Sequence, residues 1–221
     1  MNDILGVAFG SYHSRTDWGL YQAGPASLSV PTVQTSYVDV PGRCGPLDFS
    51  TALTGEVVYG TRDFSVPFLS FASPEDWPAL FSSILNAIHG QSMKIVLDED
   101  PDYYYTGRVA VGLPTYDGTW QFTVTASVYP YKLRLDKTVV TATLSASDSS
   151  ILLTNRRMPV VPSVTVDADT TLTWAGHSVA LGPGADQTVP ALVLKEGENT
   201  VKARVASGSG TITITYREGS L

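Results

Sequence analysis

The sequence predicts a mainly β protein carrying one helix, and three observations predict it. Its 221 residues include 19 Gly and 14 Pro, and only 16% are charged, against roughly 25% in an average soluble domain. Apolar and polar residues alternate over much of the chain, the period of a half-buried strand. One stretch alone departs from that period, with apolar residues at spacings of three and four. A chain of this length is expected to form one large or two ordinary domains, each with its own core.

Phe64, Val66 and Phe68 alternate with smaller or polar neighbours, which predicts a strand with one face on a core. The helix is predicted over 74–89, where Trp77, Leu80, Phe81, Ile84, Leu85 and Ile88 share a face. Ser73 can accept the N–H of Asp76, Pro74 suits a first helical position that lacks a donor, and Gly90 suits a left-handed stop. Strands at 93–97 and 103–111 are predicted to form a hairpin through the acidic tip 98–102. The Asp117-Gly118 pair favours positive φ and is predicted to turn 109–111 into 120–128, where Trp120, Phe122, Val124, Ala126 and Val128 share a face.

Beyond Tyr131 the helical signal disappears. Short strands are predicted at 138–144, 151–154, 163–166, 171–174, 178–181, 191–194, 200–205 and 211–216. Turn residues at Ser147-Asp148, 182–184, Glu196-Gly197 and 208–210 separate them at the spacing of a β-sandwich.

The net charge of −7 is unevenly placed. Residues 1–131 hold 13 acids and 5 bases, a balance of −8, and residues 132–221 hold 8 acids and 9 bases, a balance of +1. This asymmetry suggests two domains with that boundary, and an acidic surface disfavours phosphate and hence nucleic-acid binding. Cys44 is the only cysteine, which excludes an intrachain disulfide, a cysteine zinc cluster and a CxxC redox pair. No basic leader and no apolar run of about 18 residues occurs, so folding in a cytoplasm is expected.

Little in the chain points to catalysis. Asp98, Glu99, Asp100 and Asp102 are oxygen ligands of the type calcium takes, but their spacing is not that of an EF-hand, and they read as a hairpin tip. His13, His89 and His177 stand singly, and no GxSxG, HExxH, GxxxxGK or GxGxxG motif is present. Tyr103, Tyr104 and Tyr105 fit a sheet covered on both faces. Trp174 reads as a core residue or, if exposed, as a platform for a sugar. Cys44 has no histidine near it in sequence and reads as a small packed residue in a turn. No catalytic, metal or cofactor site is assigned.

The most distinctive segment begins at Val40-Pro41-Gly42-Arg43, a type II turn candidate with Pro fixing φ at its second position and Gly supplying positive φ at its third. Gly45-Pro46 turns again, and the pattern runs on through Leu47-Asp48, Gly55, Tyr59 and Arg62. This resembles the distal tail protein family of long-tailed (siphophage-type) bacteriophages, in which a PGRDG-x-LD block precedes a G…Y…R stretch. Further blocks similar to the family's follow in order: Phe9-Gly10-Ser11-Tyr12 with Gly19-Leu20, the helix end Leu85 to Gly90, the strand Asp98 to Gly107-Arg108, Pro130-Tyr131-Lys132, Gly197 with Asn199, and Tyr216 to Leu221. Cys44 departs from the family's acidic residue, and Arg156-Arg157 follow Asn155 where glycine is common.

The resemblance implies an N-terminal β-sandwich-like ring domain with one helix, 1–131, followed by a C-terminal galectin-like or jelly-roll sandwich, 132–221. It implies a structural virion protein without catalysis, cofactor or metal, placed at the virion tail tip and assembled in the bacterial host cytoplasm. Its partners would be five further copies in a hexameric ring, formed by the chain alone or only with a tail partner present, the tail tube protein, and tip or receptor-binding proteins, with no membrane. Pro41, Gly42, Arg43, Gly45, Asp48, Tyr59, Arg62, Gly107, Arg108 and Tyr131 would be structural motif residues. Six domains at −8 would place −48 around a lumen through which DNA passes without specific binding. The alternative is a carbohydrate-binding module, with Trp174 as the glycan contact.

Overall fold

A computed structural model describes residues 5–52 and 55–221. The chain divides into two compact units, Met1–Lys132 and Leu133–Leu221. Counted on these bounds the first unit holds 13 acids and 6 bases and the second 8 of each, so the whole excess of −7 lies in the first.

The first unit opens with short strands: β1 (Val7–Phe9), β2 (Tyr12–His13), β3 (Tyr21–Gln22), β4 (Ser27–Leu28), β5 (Val33–Gln34), β6 (Tyr37–Val38), β7 (Leu47–Asp48) and β8 (Val58–Tyr59). Then come β9 (Arg62–Ser70), α1 (Trp77–Ile88), β10 (Ser92–Leu97), β11 (Tyr103–Val111), β12 (Thr115–Tyr116) and β13 (Trp120–Val128). The main path is antiparallel, in the order β2-β1-β10-β11-β13-β9-β3. β9 and β13 pair along all nine residues, from Trp120 opposite Ser70 to Val128 opposite Arg62. The alternating residues expected to face inward do so: Phe64, Val66, Phe68, Phe122, Val124, Ala126 and Val128 share one core with Val7, Phe9 and Ile95. Tyr104 and Tyr105 are both buried although they are neighbours in β11, as a strand covered on both faces requires.

On its other side β9 meets β3 at Leu69 and Phe68 and β4 at Ser65 and Phe64. Pro67 lies between these pairings and has no N–H, so the outer strand divides there. Its carbonyl is still used, accepting the Ala23 N–H at 2.9 Å.

The helix presents the expected face. Trp77, Ile84 and Ile88 are buried, with Leu80, Phe81 and Leu85 packed beside them. The helix begins at Trp77, three residues after the expected start, because Pro78 cannot donate to the preceding turn. Pro74 to Asp76 form that turn, and Ser73 Oγ accepts the Asp76 N–H at 3.1 Å as anticipated. Gly90 ends the helix at φ +75°. Asp117-Gly118 does turn, with Gly118 at φ +72°, but it joins β12 to β13 rather than β11 to β13. The two-residue β12 was too short for a periodic signal.

In the second unit follow β14 (Lys132–Arg134), whose first residue belongs to the first unit, β15 (Thr138–Ser145), β16 (Ser149–Asn155), β17 (Ser163–Val166), β18 (Thr170–Trp174) and β19 (His177–Leu181). The chain closes with β20 (Gly184–Thr188), β21 (Gly197–Val205), β22 (Ser209–Tyr216) and β23 (Gly219–Ser220). Two four-stranded sheets, β15-β22-β17-β20 and β16-β21-β18-β19, enclose a core of Leu144, Leu153, Val164, Leu172, Ile212 and Ile214 among others. This is the expected sandwich.

One strand was misplaced. Residues 191–194 form no strand, although Leu192 and Leu194 are buried, and Leu194 makes an isolated bridge to Val160. The strand is instead β20, whose Gly184 falls in the predicted turn 182–184.

Tyr216 ends β22 with its O–H donating to the Thr154 carbonyl at 2.6 Å. Burial, and then the charge of Glu218, raise its pKa above the ordinary value of 10.0. The folded phenol therefore ionises later than the unfolded one. Its contribution to stability is complete below about pH 10 and is lost as pH rises through the folded pKa. Tyr216→Phe is expected to flatten the alkaline fall in stability, checked by denaturant unfolding at a series of pH values.

Candidate functional site

Residues 29–52 and 55–60 belong to an arm that leaves the sheet of the first unit. Its root is held by backbone bonds: Ser29 N–H to Asp63 O at 2.9 Å and Gly60 N–H to Thr32 O at 2.8 Å. The arm then forms two short ribbons, β5 with β8 and β6 with β7. At its tip the Arg43 N–H reaches Val40 O at 3.2 Å and Gly42 has φ +82°, the geometry of the turn read from Pro41-Gly42. Gly45 follows at φ +80°. Cys44 lies between them and is exposed. The expectation of a packed cysteine fails because the two-stranded tip has no layer to pack against.

Asp48 works further down the arm. Its carboxylate accepts both the N–H and the hydroxyl of Ser50, and Ser50 Oγ accepts the Ser36 N–H at 2.9 Å. These bonds, the hydroxyl's first, hold the Asp48 pKa below the ordinary carboxylate value. The arm is thus knitted by polar bonds while it displays apolar side chains. Val33, Tyr37, Val38 and Phe49 are 45–58% exposed and Val30 is 84% exposed. Gln34, Ser36, Phe49, Ser50 and Val58 are among the residues lining a groove of about 440 Å³ on it.

Tyr59, Arg62 and Tyr131 meet at the root. Arg62 Nε donates to Ser29 O at 2.6 Å and Nη1 reaches Pro130 O at 3.5 Å, so one guanidinium binds the arm's first residue to the end of β13's connection. Burial lowers the Arg62 pKa, opposed by Tyr105. Burial likewise raises that of Tyr105, opposed by Lys132 and Arg62. Tyr59 stands edge-on to Tyr131 with ring centroids 5.9 Å apart. Lys132 Nζ pairs with Asp100 at 2.6 Å and lies 4.4 Å from the centre of the Tyr103 ring.

Gly107 joins this site through the sheet. It is paired with Val128, and Val128 with Arg62, so the three form one row across β11, β13 and β9. A Cβ at 107 would lie 2.3 Å from the Ser127 carbonyl oxygen and 2.8 Å from a Val128 methyl. Only glycine allows that approach. Gly107→Ala is expected to destabilise the first unit by about 1–3 kcal/mol, read from the denaturation midpoint. Arg108 donates to Gly90 O at 2.6 Å, binding the strand to the helix stop.

His13, His89 and Asp98 make structural hydrogen bonds. His13 Nε2 is 3.1 Å from Asp98 Oδ1, while its Nδ1 accepts the N–H groups of Arg15 and Thr16, which assigns the ring proton to Nε2. Asp98 Oδ2 also accepts the Gly6 N–H at 2.7 Å. Both ring nitrogens are occupied, and the pair clamps the β1–β2 hairpin to the β10 end. His89 Nδ1 accepts the Val111 N–H at 3.1 Å. Among the described residues no group of three or more His, Cys, Asp or Glu is arranged to hold a metal ion. Trp174 is 9% exposed and donates its indole N–H to Ala191 O at 3.3 Å, beside a cavity of about 260 Å³ whose wall includes Leu192, Leu194 and Val201.

Sequence reasoning missed Ser29, Ser36 and Ser50, which fasten the arm. Short polar residues have no periodic signature, although Asp48-x-Ser50 is a spacing at which a side chain commonly caps a backbone N–H.

The described residues thus form an antiparallel sheet with one helix and an arm, and a β-sandwich in the second unit. A solved structure of similar fold is the crystal structure of SPP1 Dit (gp 19.1), described as a paradigm of the hub adsorption apparatus in phages that infect Gram-positive bacteria. The TM-score is 0.70 at 14% sequence identity, over 99% of this chain and 100% of that one. No protein-family model and no curated protein sequence matches the chain.

Proposed function

We propose that this chain is a non-enzymatic structural hub of a long-tailed phage or prophage, forming a hexameric ring between the tail tube and the tip or receptor-binding proteins. The observation that carries this reading is the end-to-end likeness to a tail hub protein, which extends over both units rather than one common sandwich. The first unit would close the ring. Assembly would occur in the host cytoplasm and the final location would be the virion tail tip.

The arm offers the contact material for ring closure. A run of exposed apolar side chains on an excursion from a well-packed body is the usual mark of an interaction surface. A head-to-tail contact between arm and neighbour stays finite when the rotation closes at six. The acid excess of the first unit would then surround the lumen and let DNA pass without adhering. Asp100 is already matched by Lys132, so the remaining carboxylates would carry that effect.

Mass measurement with negative-stain microscopy at rising protein concentration tests this reading. Closed six-fold rings are expected. The double variant Tyr37→Asp, Val38→Asp alters exposed arm positions and is expected to abolish rings while leaving the melting temperature of the chain unchanged. A wild-type chain that never exceeds one or two copies even with the tail tube protein added, or that grows as open filaments, overturns the ring. The carbohydrate alternative has no exposed indole face at Trp174 to rest on.

A further inference from the structure

The two sheets of the second unit end on strands of unequal character. On one side they end on β15 and β16, of eight and seven residues, joined by the short link Ala146 to Asp148. On the other they end on β19 and β20, of five residues each. An open strand edge carries unpaired N–H and C=O groups, and proteins blunt it with charge, proline, a bulge or brevity. β20 is blunted: its register against β17 shifts between Val164 and Val166, and Asp186 is held at φ +50°.

β15 has none of these devices. Its sequence TVVTATLS contains no charge and no proline, and five of its residues are β-branched. It pairs with β22 in unbroken register from Thr138 opposite Tyr216 to Ser145 opposite Ser209. Its outward row, Val139, Thr141 and Thr143, is exposed and continues into an uncharged row of Thr211, Thr213 and Thr215 on β22. The outward row of β16 on the same side, Ser150, Leu152 and Thr154, is also exposed and uncharged.

We propose that β15 is a strand-pairing edge for the β15 of a second copy of this chain. The pattern itself selects that occupant. In the antiparallel register centred on Thr141, outward residues meet outward ones: Thr141 faces its own counterpart, and Val139 faces Thr143. Inward, Val140 faces Ala142 and Thr138 faces Leu144. Every pair includes at least one β-branched residue, the type that stabilises a ladder, and no like charges meet. The contact joins two four-stranded sheets into one of eight strands. Because the same patch serves both chains it closes at two copies, while the blunted β20 denies β15 a head-to-tail partner. It is therefore a different contact from ring closure and does not depend on it.

Cysteine trapping reads the register directly. In a Cys44→Ser background, Thr141→Cys is expected to give covalent dimers under mild oxidation, since directly opposed Cβ atoms lie about 4.5–5.5 Å apart and reach disulfide geometry with a small shift. Thr143→Cys alone is expected to dimerise far more slowly, and mixing it with Val139→Cys to restore fast cross-linking. Thr141→Lys, at an exposed position, is expected to halve the sedimenting mass, whether single chains or rings are being paired, with an unchanged melting temperature. Equal cross-linking rates for Thr141→Cys and Thr143→Cys, or a mass unaffected by Thr141→Lys, overturns the proposal.

Discussion

Trp77→Ala is expected to lower the unfolding free energy of the first unit by about 3–5 kcal/mol, the range for truncating a buried aromatic. Trp77 is 4% exposed and sits at the centre of an aromatic stack: its ring lies 4.7 Å from Trp120 at an interplanar angle of 7° and 5.2 Å from Phe81. Its removal opens a cavity between the helix and β13 and removes the stacking partner of both neighbours. The indole N–H of Trp120 is buried with no hydrogen-bond partner. A cavity that admits water would satisfy it, which places the loss in the lower half of the range. Trp77→Phe keeps an aromatic ring in the stack and is expected to cost clearly less. Denaturant unfolding, followed by near-ultraviolet circular dichroism from the Trp pair, checks both.

Glu218→Ala is the second large effect, expected at about 2 kcal/mol in the second unit. The Glu218 side chain is 10% exposed and receives Thr138 Oγ1 at 2.6 Å, Arg156 Nε at 3.1 Å and Arg134 Nη1 at 3.5 Å. Breaking a buried pair costs roughly 3–5 kcal/mol, but here the arginines are 45% and 52% exposed and keep much of their water, so the figure is discounted to about 2. The backbone here adds to the closure: the Arg134 N–H donates to Glu218 O at 2.9 Å and the Met158 N–H to Gly219 O at 3.0 Å. Arg157→Ala is the control. Its pair with Glu196 is short, 2.6 Å, but both partners are exposed, and its loss is expected to cost under about 1 kcal/mol. Equal losses from Glu218→Ala and Arg157→Ala would show that burial does not decide the strength of these pairs.

The long elements were legible because burial imposes a period on them. Phe64 to Phe68, Trp120 to Val128 and the helix face around Ile84 could be read residue by residue. The failures follow from the same cause. Leu192 and Leu194 alternate because both are buried, yet their backbone runs outside the ladder. Period two reports which side chains face inward, not which amides pair. β20 is the converse: Gly184 to Thr188 is an exposed edge without apolar alternation, so it pairs without announcing itself. At the arm, the Pro41-Gly42 and Gly45 turns were visible because φ restricts residue choice. The convergence of Arg62 on Ser29 and Pro130 was not, since those contacts span 33 and 68 residues of chain. The His13–Asp98 clamp spans 85 and was hidden for the same reason.

The root of the arm has a consequence for how this chain can change. Thr32 O and Gly60 N are 2.8 Å apart, so the excursion departs from and returns to almost the same point. Loop-closure cost grows only slowly with length, about 0.6 kcal/mol per doubling. The arm can therefore be shortened, lengthened or exchanged for a foreign segment without disturbing the sheet beneath it, provided Ser29 and Arg62 keep their bond. Substitution and grafting experiments can therefore change the arm independently of the folding of the sheet.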